Sequence, residues 1–271
     1  VYRLKAYEIP EASRTSRGTN IANLLMLQPE EKITATIAIK EYREDAFIVM
    51  ATKSGMIKKT PLSDFANVRR NGLRAIVLKE DDQLIEVKFT DGNEEIFLVT
   101  AHGMLIRFNE SDIRVTGRAS MGVIGMRLSD NDEVIAMQIG NQGEMLLTVS
   151  EFGMGKRTNV SEFRAQSRGG KGLICYKISD KTGNIVAAKL VNDGTDILII
   201  TDQGQMMRTG VEGISVIGRN TSGVKLMNVN RDKNESIVSI AKAVRNDEDE
   251  SSEEVSDEAE DTAVSEEDKT E

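Results

Sequence analysis

Tryptophan is absent from these 271 residues, cysteine and histidine occur once each, and proline only three times. The single cysteine, Cys175, cannot form an internal disulfide, which fits a reducing compartment. Its setting, Leu173-Ile-Cys-Tyr176, reads as a buried strand in which the thiol is core packing and not a reactive group. The one histidine, His102, falls in a predicted hairpin turn, where a structural or solvent role is a simpler reading than catalysis. Aromatic residues make up 4% of the chain, so Ile, Val, Leu, Met and Ala must fill the core. No stretch approaches the roughly twenty apolar residues of a membrane span, and the first residues do not run basic-then-apolar as a signal peptide does. The length is sufficient to bury a substantial core.

What the chain does have is a repeat of about fifty residues. A glycine flanked by β-rich runs returns at Gly55, Gly103, Gly153 and Gly204, each time three residues after a Thr or Ser (Thr52, Thr100, Ser150, Thr201). A base follows four positions later, at Lys59, Arg107, Arg157 and Arg208. A second glycine closes each unit, at Gly72, Gly122, Gly172 and Gly223. Four residues before three of these stands Arg118, Arg168 or Arg219, and the first unit has Arg69 and Arg70 instead. Arg3 precedes Gly18 as Arg107 precedes Gly122, and Arg14 takes the place of Arg118. Residues 1–40 therefore read as a partial unit, entered inside a hairpin.

In the unit from Ile96 to Ile139, Ile96–Thr100 and Leu105–Phe108 predict a hairpin turned by Gly103. Val123–Leu128 reads as a third strand and Val134–Ile139 as a fourth, with a turn at Asp130–Asp132 between them. Four strands per repeat is the pattern of a propeller blade. The residues predict an all-β, propeller-like array of about four and a half four-stranded blades over 1–245. Residues 246–271 form an acidic tail with the composition of disorder. That tail distorts the net charge of -9: residues 247–271 hold 14 acids and one base, leaving 30 acids and 34 bases before them. A mildly basic body with an acidic end points to a polyanionic partner. The tail is expected either to compete with that partner for the bases or simply to solubilise the chain.

The sharpest local motif is Gln166-Ser-Arg168-Gly169-Gly170-Lys171-Gly172. Paired glycines let a backbone come close to a phosphate, and Arg168 and Lys171 supply charge. A glycine-rich connection with solvated bases is the alternative; a P-loop is excluded because no strand–GxxxxGK[ST]–helix context exists. Arg17, Lys58, Arg114 and Lys156 add to the phased bases already named. If these points share the outer edge, they form a curved ribbon of phosphate contacts that follows a bent duplex without reading bases. Ordinary solvated strand ends are the competing reading, although random surface charge would not return every fifty residues. Asp81-Asp82 and Asp130-Asn-Asp132 lack the spacing of a calcium loop and read as turns. Tyr2, Tyr7, Tyr42 and Tyr176 have no acidic metal cluster beside them in sequence.

The motif resembles the Gln-x-Arg-Gly-Gly-Lys-Gly box of the bacterial DNA gyrase A subunit. Val1–Pro10, Lys58-Lys-Thr60, Phe152–Thr158 and Ile217–Gly223 are similar to the C-terminal domain of that same protein, in register over residues 1–243. The resemblance implies a β-pinwheel, a propeller relative with strands exchanged between blades, that wraps duplex DNA on its basic rim in support of ATP-dependent negative supercoiling. It implies a chain starting within the second blade, with the box copy of the fifth and Ser167 where the principal box has Arg. It further implies a non-catalytic role, with the cleavage tyrosine, the ATPase site, ATP and magnesium all outside this chain. The implied partners are duplex DNA, the rest of the gyrase A subunit, and the gyrase B subunit in an A2B2 heterotetramer in the bacterial cytoplasm, associated with the nucleoid; no membrane is implied. A topoisomerase IV C-terminal domain and a protein-interaction propeller are the alternatives.

Overall fold

A hydroxyl and a left-handed glycine close the tight turn at the head of each repeat. The backbone N–H of Met56 donates to Thr52 Oγ1 at 3.3 Å, and Met104 and Gln205 donate likewise to Thr100 and Thr201 at 3.2 Å. Gly55, Gly103, Gly153 and Gly204 sit at φ of 82, 84, 79 and 81°, a region costly for any residue with a Cβ. The computed structural model describes residues 1–13, 15–28 and 31–243. Arg14 and the acidic tail lie outside the described residues.

The first full repeat builds β1 (Phe47–Thr52), β2 (Met56–Pro61) and β3 (Leu84–Thr90). The second contributes β4 (Glu95–Thr100), β5 (Met104–Asn109), β6 (Val123–Ile124) and β7 (Val134–Ile139). The third contributes β8 (Met145–Ser150), β9 (Met154–Asn159), β10 (Leu173–Ile174) and β11 (Ile185–Val191). The last has β12 (Asp196–Thr201), β13 (Met206–Gly210), β14 (Val224–Lys225) and β15 (Ile237–Ala243). They assemble into four antiparallel sheets ordered β3-β1-β2-β6, β7-β4-β5-β10, β11-β8-β9-β14 and β15-β12-β13. The helical elements among the described residues are single 3₁₀ turns.

One element differs from the residue-level expectation. Val123–Leu128 reads in sequence as the third strand of its own blade, yet only Val123 and Ile124 are extended, and they pair with β2 of the preceding blade. β10 and β14 likewise join β5 and β9, which is the strand exchange that the family resemblance implied. The segment is short because its next residues serve as a clasp. The Gly55 carbonyl accepts N–H groups of Gly125 and Met126 at 2.8 and 3.1 Å. Gly103 does the same for Cys175 and Tyr176, and Gly153 for Leu226 and Met227.

The core lies between blades because both faces of each hairpin are covered. Val49 and Ala51 pack with Ile96, Leu98 and Ile106 of the next blade, whereas Ile48 and Met50 face the opposite side with Leu62 and Phe65. The period of two explains why these strands read as unbroken apolar runs. The partial unit holds one rung of pairing: Val1 and Leu73 exchange N–H···O bonds of 2.7 and 2.9 Å, where Ile57 and Val123 pair one blade on and Leu105 and Leu173 two.

The clasp separates two glycines that look alike in sequence. A Cβ on Gly153 would stand 2.1 Å from the Met227 carbonyl oxygen, whereas one on Gly204 meets nothing within 4 Å. We expect Gly204→Ala to lose about 1–2 kcal/mol from backbone strain alone. Gly153→Ala should lose at least about twice that, because the exchanged segment must move. Urea unfolding of both variants checks this; equal losses would remove the clasp as a source of stability.

Candidate nucleic-acid interface

The clasp brings the loops around the second glycines side by side. Val77 N donates to Ser120 O at 3.1 Å, Arg127 N to Gly170 O at 2.9 Å, and Lys177 N to Thr221 O at 3.0 Å. These bonds recur with the repeat, so the loops ending at Gly122, Gly172 and Gly223 form one row along the outer sheet edges.

The bases that follow the hairpin glycines do not all belong to that row. Lys58, Lys59, Lys156 and Arg157 are buried, which corrects the expectation that they line the outer edge. Their charged ends serve neighbouring repeats. Lys59 meets the buried carboxylate of Glu110 at 3.0 Å, and Arg157 meets Asp193 at 2.5 Å and donates to the Ile214 carbonyl at 2.9 Å. Arg107 is half-buried: it holds Glu95 through two bonds of 2.6 and 2.9 Å and donates to the carbonyls of Val160 and Phe163. Arg208 is more exposed but engages Asp196 at 2.9 Å. A base four residues after the hairpin glycine therefore ties its blade together, and in three of the four repeats it also reaches into the next one.

Lys58 and Lys156, one residue earlier, anchor the row from beneath. Lys58 Nζ donates to the carbonyls of Ala75 and Arg118 at 2.5 and 2.6 Å. Lys156 Nζ donates to the carbonyls of Gly218 and Arg219 at 2.8 and 2.7 Å and to Thr221 Oγ1 at 3.1 Å. Burial lowers both ammonium pKa values to about 8, so each is still mainly charged at pH 7 and its carbonyl partners are well matched.

Arg118, Arg168 and Arg219 are half-buried and clamp adjacent loops. Arg168 donates to the carbonyls of Asp112 and Ile124 at 2.8 and 3.0 Å. Arg118 makes the equivalent of the first bond, to Asp64, and Arg219 the equivalent of the second, to Ile174. In the box, Gln166 N donates to the Arg107 carbonyl at 2.7 Å, while Gln166 Nε2 is buried with no partner among the described residues. Gly169 is left-handed, at φ 76°. Gly172 lies under the clasp, where a Cβ would come within 2.4 Å of the Leu105 carbonyl oxygen. Gly170 differs from both: a Cβ there would meet Ile106 Cδ1, Ser167 O and Gln166 Oε1 at 3.4, 3.7 and 3.8 Å, ordinary contact distances, with no left-handed φ. The protein's own packing does not require Gly170.

The exposed bases among the expected ones are Arg17, Arg69, Arg70, Arg114 and Lys171, together with Arg208. Sequence reasoning passed over Arg74, Arg127, Arg164 and Lys177, all exposed. Their signal was present: Arg114 and Arg164 lie eleven residues after their hairpin glycines, and Arg127 and Lys177 five after their closing glycines. Elsewhere, Cys175 is fully buried, and burial pushes its thiol up to about 12. Asp132 accepts the backbone N–H of His102 as Asp82 accepts that of Ser54, so these acids are turn caps. Among the described residues no group of His, Cys, Asp or Glu is placed to hold a metal, and no helix is long and apolar enough to cross a membrane.

The family described as DNA gyrase C-terminal domain, beta-propeller matches the chain in five successive segments, 1–40, 46–91, 94–141, 144–192 and 195–243. The DNA gyrase A subunit of Clostridium acetobutylicum is 48% identical over 258 residues, covering 94% of this chain and 31% of that protein. The same protein of Halalkalibacterium halodurans is 57% identical over 229 residues, covering 84% and 28%. The chain thus spans about 30% of the length of these relatives. Among solved structures, a DNA topoisomerase IV C-terminal domain superposes with TM-score 0.81 at 26% identity, covering 93% of this chain and 79% of that one. A DNA gyrase A C-terminal domain gives 0.77 at 29%, covering 89% and 78%.

The two sorts of base respond differently to removal. Lys156→Met strands three oxygens and should cost about 2–3 kcal/mol, whereas the exposed Lys171→Met should stay within about 0.5 kcal/mol. Urea midpoints of the two variants measure the difference, and equal midpoints would overturn the anchoring role.

Proposed function

Since this chain belongs to the DNA gyrase C-terminal domain, beta-propeller family, we propose that it binds duplex DNA along the row of stacked loops and bends it around the array. The observation that carries this reading is the phased exposure of Arg114 and Arg164, and of Arg127 and Lys177, flanking the box with its exposed Lys171. Cations repeated along a curved edge match a phosphate backbone, which presents charge at regular intervals and gives salt-dependent affinity without base readout. The clamps at Arg118, Arg168 and Arg219 hold the loops in place, and the missing Cβ at Gly170, which the protein's own packing does not demand, lets a phosphate come close to the main chain. Lys58, Lys59, Lys156 and Arg157 support this surface and do not themselves touch DNA in this reading.

The domain acts as a non-catalytic part of the DNA-cleaving chain of a type II topoisomerase. The cleavage tyrosine and the ATPase site lie in other parts of the complete enzyme. By curving a neighbouring segment with fixed hand, it presents that segment for strand passage and supports negative supercoiling. Its partners are duplex DNA, the rest of the gyrase A subunit, and the gyrase B subunit, in an A2B2 assembly in the bacterial cytoplasm at the nucleoid. The fold does not distinguish gyrase from topoisomerase IV; Arg168-Gly-Gly-Lys-Gly172 favours gyrase. A protein-docking propeller would instead bind its partner with little dependence on salt.

The test is binding to a duplex of roughly 150 base pairs, one persistence length, across a salt series with end-to-end energy transfer as the bend readout. We expect steeply salt-dependent binding with the ends drawn together. In the double variant Arg114→Ala, Arg164→Ala the log–log salt slope should flatten by about two. Gly170→Ala should keep wild-type stability yet bind more weakly. An unchanged slope together with unchanged affinity in these variants would sink the assignment of the row.

A further inference from the structure

The closing strands β3, β7, β11 and β15 form the sheet edges opposite the loop row and contact one another in succession. They therefore line the inside of the array. At the position paired with the hairpin residue six before the turn glycine they carry Lys88 (opposite Val49), Gln138 (opposite Phe97) and Lys189 (opposite Leu147), and on β15 Lys242 stands one residue further along, opposite Ile197. Strand register thus brings Lys88 and Lys189 onto the shared carboxylate of Glu86, where the interblade core leaves partly covered space: their side chains are 21% and 29% exposed, and the charge of Lys242 lies near enough to act on them.

A single carboxylate is paired within this group. Glu86 Oε1 lies 2.9 Å from Lys88 Nζ and 3.6 Å from Lys189 Nζ, and Glu86 Oε2 accepts the N–H of Met137 at 2.8 Å. Gln138 is neutral and its Oε1 accepts the N–H of Leu190. Lys242 Nζ donates to the Gln142 carbonyl at 3.1 Å, and no carboxylate of the described residues pairs with it. Its pKa is lowered by desolvation and then by the charges of Lys88 and Lys189. The cluster carries three positive charges against one negative, and the excess sits on β15, the strand that leads into the acidic tail.

We propose that the acidic segment 247–271 docks back onto this inner lysine cluster, its carboxylates supplying the counter-charge that Lys88, Lys189 and Lys242 lack. Lys242 precedes Asp247 by five residues, and an extended chain gains about 3.3 Å per residue, so the first acids reach the cluster without spanning a blade. A tether this short sets an effective concentration in the millimolar range. The segment offers 14 acids against the single Lys269. The loop row is at the opposite sheet edge, so the tail meets the inner lysines first and leaves the row open to DNA.

The experiment uses the full chain without DNA, so its outcome is independent of the proposed DNA binding. Carbodiimide cross-linking at low salt, read by mass spectrometry, should join acids of 247–271 to Lys88, Lys189 or Lys242. A second arm exchanges every Asp and Glu of 247–271 for Asn and Gln and measures lysine acetylation rates. Lys88 and Lys189 should then react about fivefold faster, the equivalent of losing one ion pair, while Lys171 stays unchanged. Cross-links confined to Lys171 and Lys177 would place the tail on the row and overturn the proposal. Unchanged acetylation rates would also overturn it. So would inorganic phosphate protecting the inner lysines equally in both chains, which would make the cluster a site for free anions.

Discussion

The interaction on which the rest depends is the pair of N–H groups that each repeat donates to the hairpin-glycine carbonyl of the repeat before it. Without that clasp a hairpin would present two apolar faces and an unpaired edge, a poor structure in water. With it, a two-residue strand covers the edge, both faces meet neighbouring blades, and stability accumulates by nearest-neighbour contacts. The glycine does two things at once. Its left-handed φ makes the turn, and its missing Cβ lets the next repeat lie across it, within 2.6 Å of where a Cβ would stand at Gly55 and closer at Gly103 and Gly153. Gly204 keeps the first property without the second, because its sheet has three strands and nothing crosses its turn.

Positive charge does two unlike jobs in one repeat. A buried lysine without partners would be costly, so Lys58 and Lys156 are matched by two or three oxygens each, and Lys59 by a fully buried carboxylate. These contacts hold the loops but leave no charge for a ligand. The exposed bases, three residues or more from any of those, keep their charge for solvent and ligand, and gain from loops whose position is already fixed. Flexible arginines on loose loops would have to be ordered on binding; here the clamps at Arg118, Arg168 and Arg219 have done so beforehand.

Much of this was legible in the sequence. The fifty-residue period, the hairpins, the all-β class and the turn glycines follow from Thr-x-x-Gly and the apolar runs, because those elements depend on neighbours in the chain. The division of the bases was not legible. Lys58 and Lys171 have the same charge and both lie in a repeat-phased frame, yet one is buried and the other exposed. What decides is the partner, and partners come from different places: Glu110 lies 51 residues after Lys59, Glu95 twelve before Arg107, and Asp193 thirty-six after Arg157. Register signalled that these bases matter but could not say which way they face. The same limit made Val123–Leu128 look like a strand of its own blade. Its residues fit a strand, but its pairing is with Met56 and Ile57, nearly seventy residues earlier.

The separation of inner and outer edges follows from the same topology. Every four-stranded sheet ends outward in an exchanged strand and inward in a closing strand, so the two edges face different surroundings. The inner edges cannot pair with one another as a ladder, and side chains serve in place of main-chain partners: Glu86 caps Met137 N and Gln138 caps Leu190 N. On the outer edge the exposed bases Arg114 and Arg164, and Arg127 and Lys177, recur at fifty residues of sequence, which sets the charge of two successive blades in line. Bending a 20–30 base-pair site by 40–90° costs on the order of 1–6 kcal/mol, and no single phosphate contact offsets that. In the proposed wrapping a line of them held at fixed spacing offsets it, because each added contact brings no new ordering cost. The rigidity supplied by buried lysines is thus what lets exposed ones act together.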